Sequence, residues 1–583
     1  MSTTELFSER PQAVALAVQN LAAAEAAERG AVFTRREVVH FMLDLAKYTA
    51  DQNLPESCLL EPSFGHGEFV LAASERLLQS FFDRGGVPEA AVDHLGDALR
   101  AVELHQDSFE VTRRRLTKLL VNHNLSSDAA LNLVKKWLLH DDFLLTNLPC
   151  AFTHVVGNPP YLRQESIPDA LLKEYRRRYL TVYDRADLYV PFIERGLQLL
   201  QPEGLLVFIC ADRWMKNKYG GPLRQLISGG YHLTAYVDMV DTPVFEGAVT
   251  AYPAIFRVER RGVGERGKRK TFIAERPSLE PDRLCLLAQV MGRGVGDGAS
   301  SGLRVRVAQN VVQGREPWLF NATREVELLR QLEKKYPSLE DAGCRVGIGV
   351  ATGADEVFIR PMSELPVEDR RKLPIVMVPD LRSGSIEWSG KGLLNPFEPD
   401  GSLAPLEEYS RFASFLAKHE AAIKKRHVAK RNPKRWYRTI DRVYPELTQK
   451  PKLLIPDIKG TANVVYDAGK YYPHHNLYYV VSDTWDLRAL QTVLRSSLAE
   501  FFIALYSVKM RGGYLRFQAQ YLRRIRLPRW KDITEELRDR LRAASEGERS
   551  VCDVITFDLY KLTIDEQEIV KTAIYEAERA TSE

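Results

Sequence analysis

The chain has 583 residues, 45% of them hydrophobic and 27% charged, which is the composition of an ordinary folded protein large enough for about two to four domains. A net charge of +4 excludes a polycation, so any nucleic-acid surface must come from local clustering of charge. The six cysteines contain no CxxC pair, no metal-ligand spacing is present, the start of the chain lacks a signal-peptide pattern, and apolar runs such as Gly204–Ala211 are too short to cross a bilayer; a reduced, cytoplasmic, membrane-free protein without a metal site is expected.

Residues 11–29 are alanine-rich and helix-favouring, ended by Gly30, and are read as an N-terminal helix over 1–30. From residue 31 to 262, short apolar runs alternate with helical segments. Strands are expected at Cys58–Leu60, Leu99–Leu104, Leu138–Leu139, His154–Val156, Gly204–Cys210, Leu233–Val240 and Ala254–Val258, with helices such as Phe69–Phe82 and Leu188–Leu200 between them. This is the pattern of an α/β, doubly wound, mostly parallel sheet. Residues 260–270 (RRGVGERGKRK) then read as a linker. A separate α+β domain is expected over 263–530, followed by helices packed on it over 531–583.

Several strand ends carry polar residues. Glu61, Ser63, Gly65 and Gly67 form an acid and a glycine turn between a strand and a helix. The turn lacks the third glycine of the dinucleotide fingerprint and the Gly-Lys-Ser/Thr of a P-loop, but its glycines let a ligand approach the backbone. Glu103 ends the next strand, where a carboxylate can hold ribose hydroxyls. Asp142 and Phe143 after the third strand suit the amino group and the face of an adenine ring.

The fourth strand leads into Asn158-Pro159-Pro160-Tyr161. An exocyclic ring amine is a poor nucleophile because its lone pair is delocalised. Two acceptors aimed at its N–H groups, the side-chain oxygen of Asn158 and the carbonyl of Pro159, would free that lone pair. Prolines stiffen the segment, and Tyr161 offers a face on which a base can stack.

Taken together, these motifs resemble those of the gamma-class (TaqI-type) adenine-N6 DNA methyltransferases. The resemblance implies a Rossmann-like class I methyltransferase domain that binds S-adenosylmethionine. Within it, Thr34 of the AVFTRREVV segment contacts the methionine end of the cofactor. Glu61, Ser63, Gly65, Gly67, Glu103, Asp142, Phe143 and Pro160 complete the cofactor set. The segments Asp187–Glu194 and Gly204–Ile209 resemble later core motifs, and Phe245 of Val244-Phe245-Glu246-Gly247 would stack on the flipped base opposite Tyr161. The spacing from Gly67 to Glu103 is longer than the family's, so DRGGVPEAAVDHLGDA is read as an inserted loop.

In the second half, residues 424–452 hold eleven Lys/Arg against two acids, interleaved with Trp436, Tyr437 and Tyr444. Residues 501–530 hold seven Lys/Arg and no acid. Such clustering suits contacts with the phosphates of double-stranded DNA, with Lys424, Lys425, Arg426, Arg431, Lys434, Arg435, Trp436, Arg511, Arg516 and Arg523 as candidates. The glycines at 347, 349 and 353 read as a turn-rich β segment, and this half resembles the family's target-recognition domain more loosely. Pro149-Cys150 could suggest cytosine-C5 chemistry, but that would make the asparagine motif superfluous; Pro379-Asp380 with Asp457-Ile458-Lys459 could suggest a nuclease, but they fall inside the expected recognition domain. Cytosine-N4 methylation and a non-catalytic DNA-binding subunit of a defence complex are the alternatives. A separately encoded restriction endonuclease and a monomeric enzyme are also expected.

Overall fold

A computed structural model of the chain describes every residue except 1–9, 25–29, 31, 150, 241, 247–252, 263–269, 294–302, 322, 382–383, 460–462, 508–514 and 583. Arg511 and Cys150 therefore lie outside the described residues. The chain divides into two compact units, Met1–Phe320 and Asn321–Glu583.

The first unit is built on a nine-stranded sheet. Its strands are β1 (Leu59–Glu61), β2 (Leu99–Glu103), β3 (Leu138–His140), β4 (Phe152–Gly157), β5 (Leu200–Ala211), β6 (Tyr231–Asp238), β7 (Pro253–Arg260), β8 (Lys270–Glu275) and β9 (Val305–Gln309). The order is β3-β2-β1-β4-β5-β7-β6-β8-β9. Strands β3 to β5 are mutually parallel, and β7 runs antiparallel to both neighbours.

Adjacent residues of the central strands enter different cores. Leu59, Val156, Val207 and Ile255 pack on one face, while Leu60, Val155, Phe208 and Phe256 pack on the other. With period-two side chains and helices over both faces, each strand reads as an almost continuous apolar run. That is why all seven expected strands are legible in the sequence and present in the fold.

Two boundaries differ from the sequence reading. The sheet continues past residue 262, because β8 pairs parallel with β6 and β9 pairs with β8, and the unit extends to Phe320. The polar stretch before β8 has the composition of a linker, yet the apolar residues of Lys270–Glu275 find a partner only through tertiary pairing. The first helix spans Gln12–Ala22, and its Val14, Ala17 and Leu21 are buried in the same core as Leu60 and Val102, so it belongs to this unit. The stretch read as an inserted loop contains a short helix, Ala91–Leu95.

In the second unit, β10 (Cys344–Ile348), β14 (Lys452–Pro456), β16 (Val465–Asp467) and β18 (Leu477–Ser482) form one four-stranded sheet in the order β10-β18-β14-β16. A second sheet joins β11 (Ile359–Pro361), β12 (Lys372–Val376), β13 (Lys391–Leu394) and β17 (Tyr472–Pro473) in the order β11-β13-β12-β17. Lys452 and Asp467 form a buried ion pair at 2.7 Å in the first of these sheets, and the Lys452 ammonium also donates to the carbonyls of Leu447 and Lys450. A two-stranded ribbon pairs β15 (Ile458–Lys459) with β19 (Leu515–Arg516), and the helices of the unit include Thr323–Lys335, Ser410–Lys418, Leu487–Leu494, Ser497–Tyr506, Glu535–Ala543, Arg549–Tyr560 and Ile564–Ser582.

Candidate active site

Strand order reverses between β1 and β4, which leaves a crevice beyond their carboxyl ends where ligands of open α/β sheets bind. A cleft of the first unit lies there. It encloses about 970 Å3 counted out to its open mouth, and Thr34, Ser63, Gly65, Glu103, Asp142, Phe143, Asn158 and Pro160 all contribute to its lining. Eight candidates from five segments of the chain are thus brought into one site.

The glycine turn is shaped by close contacts. Gly65 and Gly67 have φ of +51° and +89°, and a Cβ on Gly67 would lie 2.5 Å from Thr112 Cγ2. The Glu103 carboxylate accepts from the Gly65 N–H at 2.7 Å and the His105 N–H at 2.8 Å, so it fixes the turn from the end of β2. Glu61 is fully buried between β1 and β4. One of its oxygens accepts from the Ser63 N–H at 3.0 Å while the other has no partner. Burial holds its carboxyl well above the usual carboxylate range, and the nearby charge of Glu103 adds to the effect. A Cβ on Gly157 would stand 2.4 Å from Glu61, so glycine is required opposite this acid.

At the end of β3, Asp142 accepts from the Leu144 N–H at 2.7 Å and from the Tyr175 hydroxyl at 2.5 Å. Burial raises its pKa, and the Tyr175 hydrogen bond opposes that shift. Phe143 packs against Phe192 with ring centroids 4.9 Å apart. At the end of β4, the Asn158 amide nitrogen donates to the Val32 carbonyl at 2.8 Å and to the Thr34 hydroxyl oxygen at 3.2 Å. With its nitrogen so engaged, Asn158 Oδ1 is left buried with no partner. The Val32 carbonyl, which can only accept, sets the amide orientation, since the flipped amide would put oxygen against oxygen there; the Thr34 hydroxyl adds a second acceptor.

Tyr161 follows, its N–H bonded to the Gly30 carbonyl at 2.9 Å. Its ring meets Phe245 edge to face, with centroids 5.9 Å apart and planes at 80°. The Phe245 backbone is held against the N-terminal segment, since Thr34 and Phe245 form an antiparallel bridge, Arg35 donates to Val244 O and Glu246 to Phe33 O. Asn158, Tyr161 and Phe245 thus converge on residues 30–35.

The comparisons with known proteins agree with this architecture. The Eco57I restriction-modification methylase family matches residues 12–245, and the TaqI-like C-terminal specificity domain matches residues 385–527. The chain is 50% identical over 546 residues to the type II methyltransferase M.XhoI of Xanthomonas vasicola, covering 94% of this chain and 99% of that protein. It is 52% identical over 541 residues to M.PaeR7I of Pseudomonas aeruginosa, covering 92% of this chain and 93% of that protein.

The chain belongs to the gamma-class type II DNA methyltransferases of restriction-modification systems. Its fold is shared with the type IIL restriction-modification enzyme MmeI solved in complex with DNA, at a TM-score of 0.57 and 11% identity, over 94% of this chain and 77% of that one. The cofactor of the methyltransferase is S-adenosylmethionine, and the cleft fits it. Its lining combines the carboxylates of Glu103 and Asp142 with the rings of Phe64, Phe143 and Phe192, and Gly65 leaves no Cβ in the way.

Some lining residues of the methyltransferase cleft were not singled out from sequence. Phe33 stacks on His66 of the glycine turn with centroids 4.2 Å apart, and Tyr175 arrives from the helix Asp169–Arg178 to hold Asp142. Phe33 sits inside a segment already noted, whereas nothing local to Tyr175 points to Asp142.

The basic candidates of the second unit divide in two. Lys425, Arg431, Lys434 and Arg435 are exposed. Arg426 is not a surface cation, because its guanidinium donates to the carbonyls of Thr352, Trp436 and Arg438 and holds that segment together. Arg516 pairs with Asp457, and Arg523 pairs with Glu340 at 2.8 Å and donates to Val346 O. Lys424 pairs with Glu420 and lies 5.4 Å over the Trp436 ring. For Arg426, Arg516 and Arg523 these internal partners give a structural role that the charge pattern alone does not reveal.

Among the described residues no helix is long and apolar enough to cross a membrane.

Proposed function

We propose that this methyltransferase modifies the N6 amine of an adenine extruded from a specific sequence in double-stranded DNA. The observation that carries the reading is Asn158 Oδ1, a buried acceptor without a partner beside an aromatic pair. S-adenosylmethionine supplies an activated methyl group, so the chain's task is to position the amine and expose its lone pair. Asn158 Oδ1 and the Pro159 carbonyl accept the two N–H groups of the amine, and the surplus proton leaves to water after transfer. No covalent enzyme intermediate is needed.

Extruding a base costs about a few kcal/mol, and stacking returns roughly 1–3 kcal/mol per aromatic contact. The edge-to-face contact of Tyr161 and Phe245 leaves no parallel slot for a base, so the Phe245 ring turns as the base enters. Its backbone stays fixed by the pairing with Thr34 and Arg35. The specificity domain matched at residues 385–527 and the exposed lysines and arginines around Trp436 support DNA contact from the second unit. Because one chain carries both cofactor and specificity parts, we propose that it acts as a monomer in the cytoplasm, beside a separately encoded endonuclease. The unpaired cysteines Cys58, Cys210, Cys285, Cys344 and Cys552 suit that reducing compartment.

Transfer of labelled methyl groups to unmethylated DNA, followed by nucleoside analysis, tests the proposal. Label in N6-methyladenine supports it. Label in N4-methylcytosine keeps the amine chemistry and overturns the base, and absence of label on DNA overturns the function.

A further inference from the structure

Far from the methyl-transfer cleft in sequence, the second unit contains one cluster of metal-ligand side chains among the described residues. Asp355, His474 and His475 each offer a ligand atom, and these atoms lie within 4.8 Å of one another. His474 Nε2 is 3.0 Å from Asp355 Oδ2, and the His474 and His475 rings have centroids 4.0 Å apart. Successive side chains of an extended strand point to opposite faces. Two adjacent imidazoles turned together are therefore the result of a bend in the chain.

The setting is a seam. Segment 349–358 carries the chain from β10 of one small sheet to β11 of the other, and segment 474–476 carries it back from β17 to β18. The two crossovers touch through the Val350–His474 bridge and through His475 N–H donating to Val350 O at 3.1 Å. A Cβ on Gly349 would stand 2.2 Å from the His474 carbonyl, so the approach is as close as a glycine allows. His474 is 2% exposed, and the Nδ1 atoms of both histidines are buried without a partner. Buried polar atoms are normally hydrogen-bonded, and two adjacent histidines with an unpartnered ring nitrogen each at one seam call for a ligand. Asp355 is in turn oriented by the Thr352 hydroxyl at 2.5 Å, as supporting partners orient the carboxylate ligands of metal sites.

We propose that Asp355, His474 and His475 bind one divalent transition-metal ion, of the zinc class, which clips the two sheets of the second unit together at their crossovers. Two imidazoles and a carboxylate suit zinc, whereas magnesium and calcium take all-oxygen shells. Ligand distances near 2.0–2.2 Å put tetrahedral ligand atoms about 3.4 Å apart, so the most distant pair must close by up to about 1.4 Å on binding, and the half-exposed side of Asp355 admits water as the fourth ligand. Its ligands stand 119 residues apart in the chain, so no spacing motif announces the site.

The test uses the full-length protein without a histidine tag, purified in metal-free buffer. Elemental analysis should find about one zinc per chain, or the stripped protein should take up one Zn2+ with micromolar or tighter affinity in the presence of excess Mg2+, with a rise in Tm. Asp355→Asn and His475→Gln should each weaken Zn2+ binding at least tenfold and abolish the zinc-dependent rise in Tm. Wild-type protein that neither contains nor takes up zinc stoichiometrically overturns the proposal without reference to any variant. Equal zinc binding by wild type and Asp355→Asn overturns it as well. Should His475→Gln fail to fold, the wild-type titration and Asp355→Asn decide the matter.

Discussion

Thr34 and Asn158 lie 124 residues apart in the chain and meet through a 3.2 Å hydrogen bond in which the Asn158 amide nitrogen donates to the threonine hydroxyl. With Val32 O as the second acceptor, the nitrogen is turned into the protein and the oxygen is left as a buried acceptor with no partner. Thr34 thus touches Asn158 as well as lining the cleft.

Thr34→Val should lower the single-turnover rate of methyl transfer by about tenfold, the equivalent of one hydrogen bond of about 1.4 kcal/mol. Thr34→Ser should retain most of the rate. A rate unchanged in Thr34→Val, with cofactor affinity also unchanged, would show that Val32 alone orients the amide.

Asn158→Ala removes the acceptor itself. Methyl transfer should fall by at least about a thousandfold, on the scale seen when a preorganised polar group is lost from an active site. DNA and cofactor affinities, measured separately, should stay within a few-fold of wild type. Preserved turnover would rule out the amine-activation role.

Gly157→Ala places a methyl group 2.4 Å from the Glu61 carboxyl, which is buried and cannot withdraw into solvent. Overpacking of this kind costs about 1–3 kcal/mol. The substitution should lower Tm and weaken S-adenosylmethionine binding by displacing the β1 end, which calorimetry can read directly.

His154, on β4, is held by burial down to a pKa of about 4, below its usual 6.5. The folded protein thus keeps the imidazole neutral, while the unfolded chain protonates it below pH 6.5. Stability from this residue is complete above pH 6.5, falls as the pH drops and is exhausted below about pH 4. At pH 5 the loss is about 2 kcal/mol. Denaturant titrations at pH 7.5 and pH 5 should show a smaller acid loss in His154→Gln than in wild type.

In the second unit, alanine at Lys425 or Lys434 should reduce the salt slope of DNA binding by about one each, with little change in Tm. Arg426→Ala should instead destabilise the unit, because four backbone carbonyls lose their donor. Melting curves and salt-dependent binding separate the two classes. A salt slope unchanged in Lys425→Ala and Lys434→Ala would remove those lysines from the phosphate contacts.

What the sequence determined by itself follows from local physics. Strands buried on both faces must be apolar along their length, so β1 to β7 stand out as short runs. Of the polar residues at their carboxyl ends, Glu103, Asp142 and Asn158 line the crevice, whereas Glu61 is buried beside it. The rest depends on partners remote in the chain. Lys270–Glu275 becomes a strand of the same sheet only because β6 offers an edge for it. Arg426 changes from a surface cation to an internal clamp because four carbonyls surround it, and charge counting does not register carbonyls. The orientation of the Asn158 amide, the role of Tyr175 and the meeting of Asp355 with His474 were likewise decided by tertiary structure. Each is a contact between residues whose spacing has no period, and only the folded chain brings them within a few ångströms.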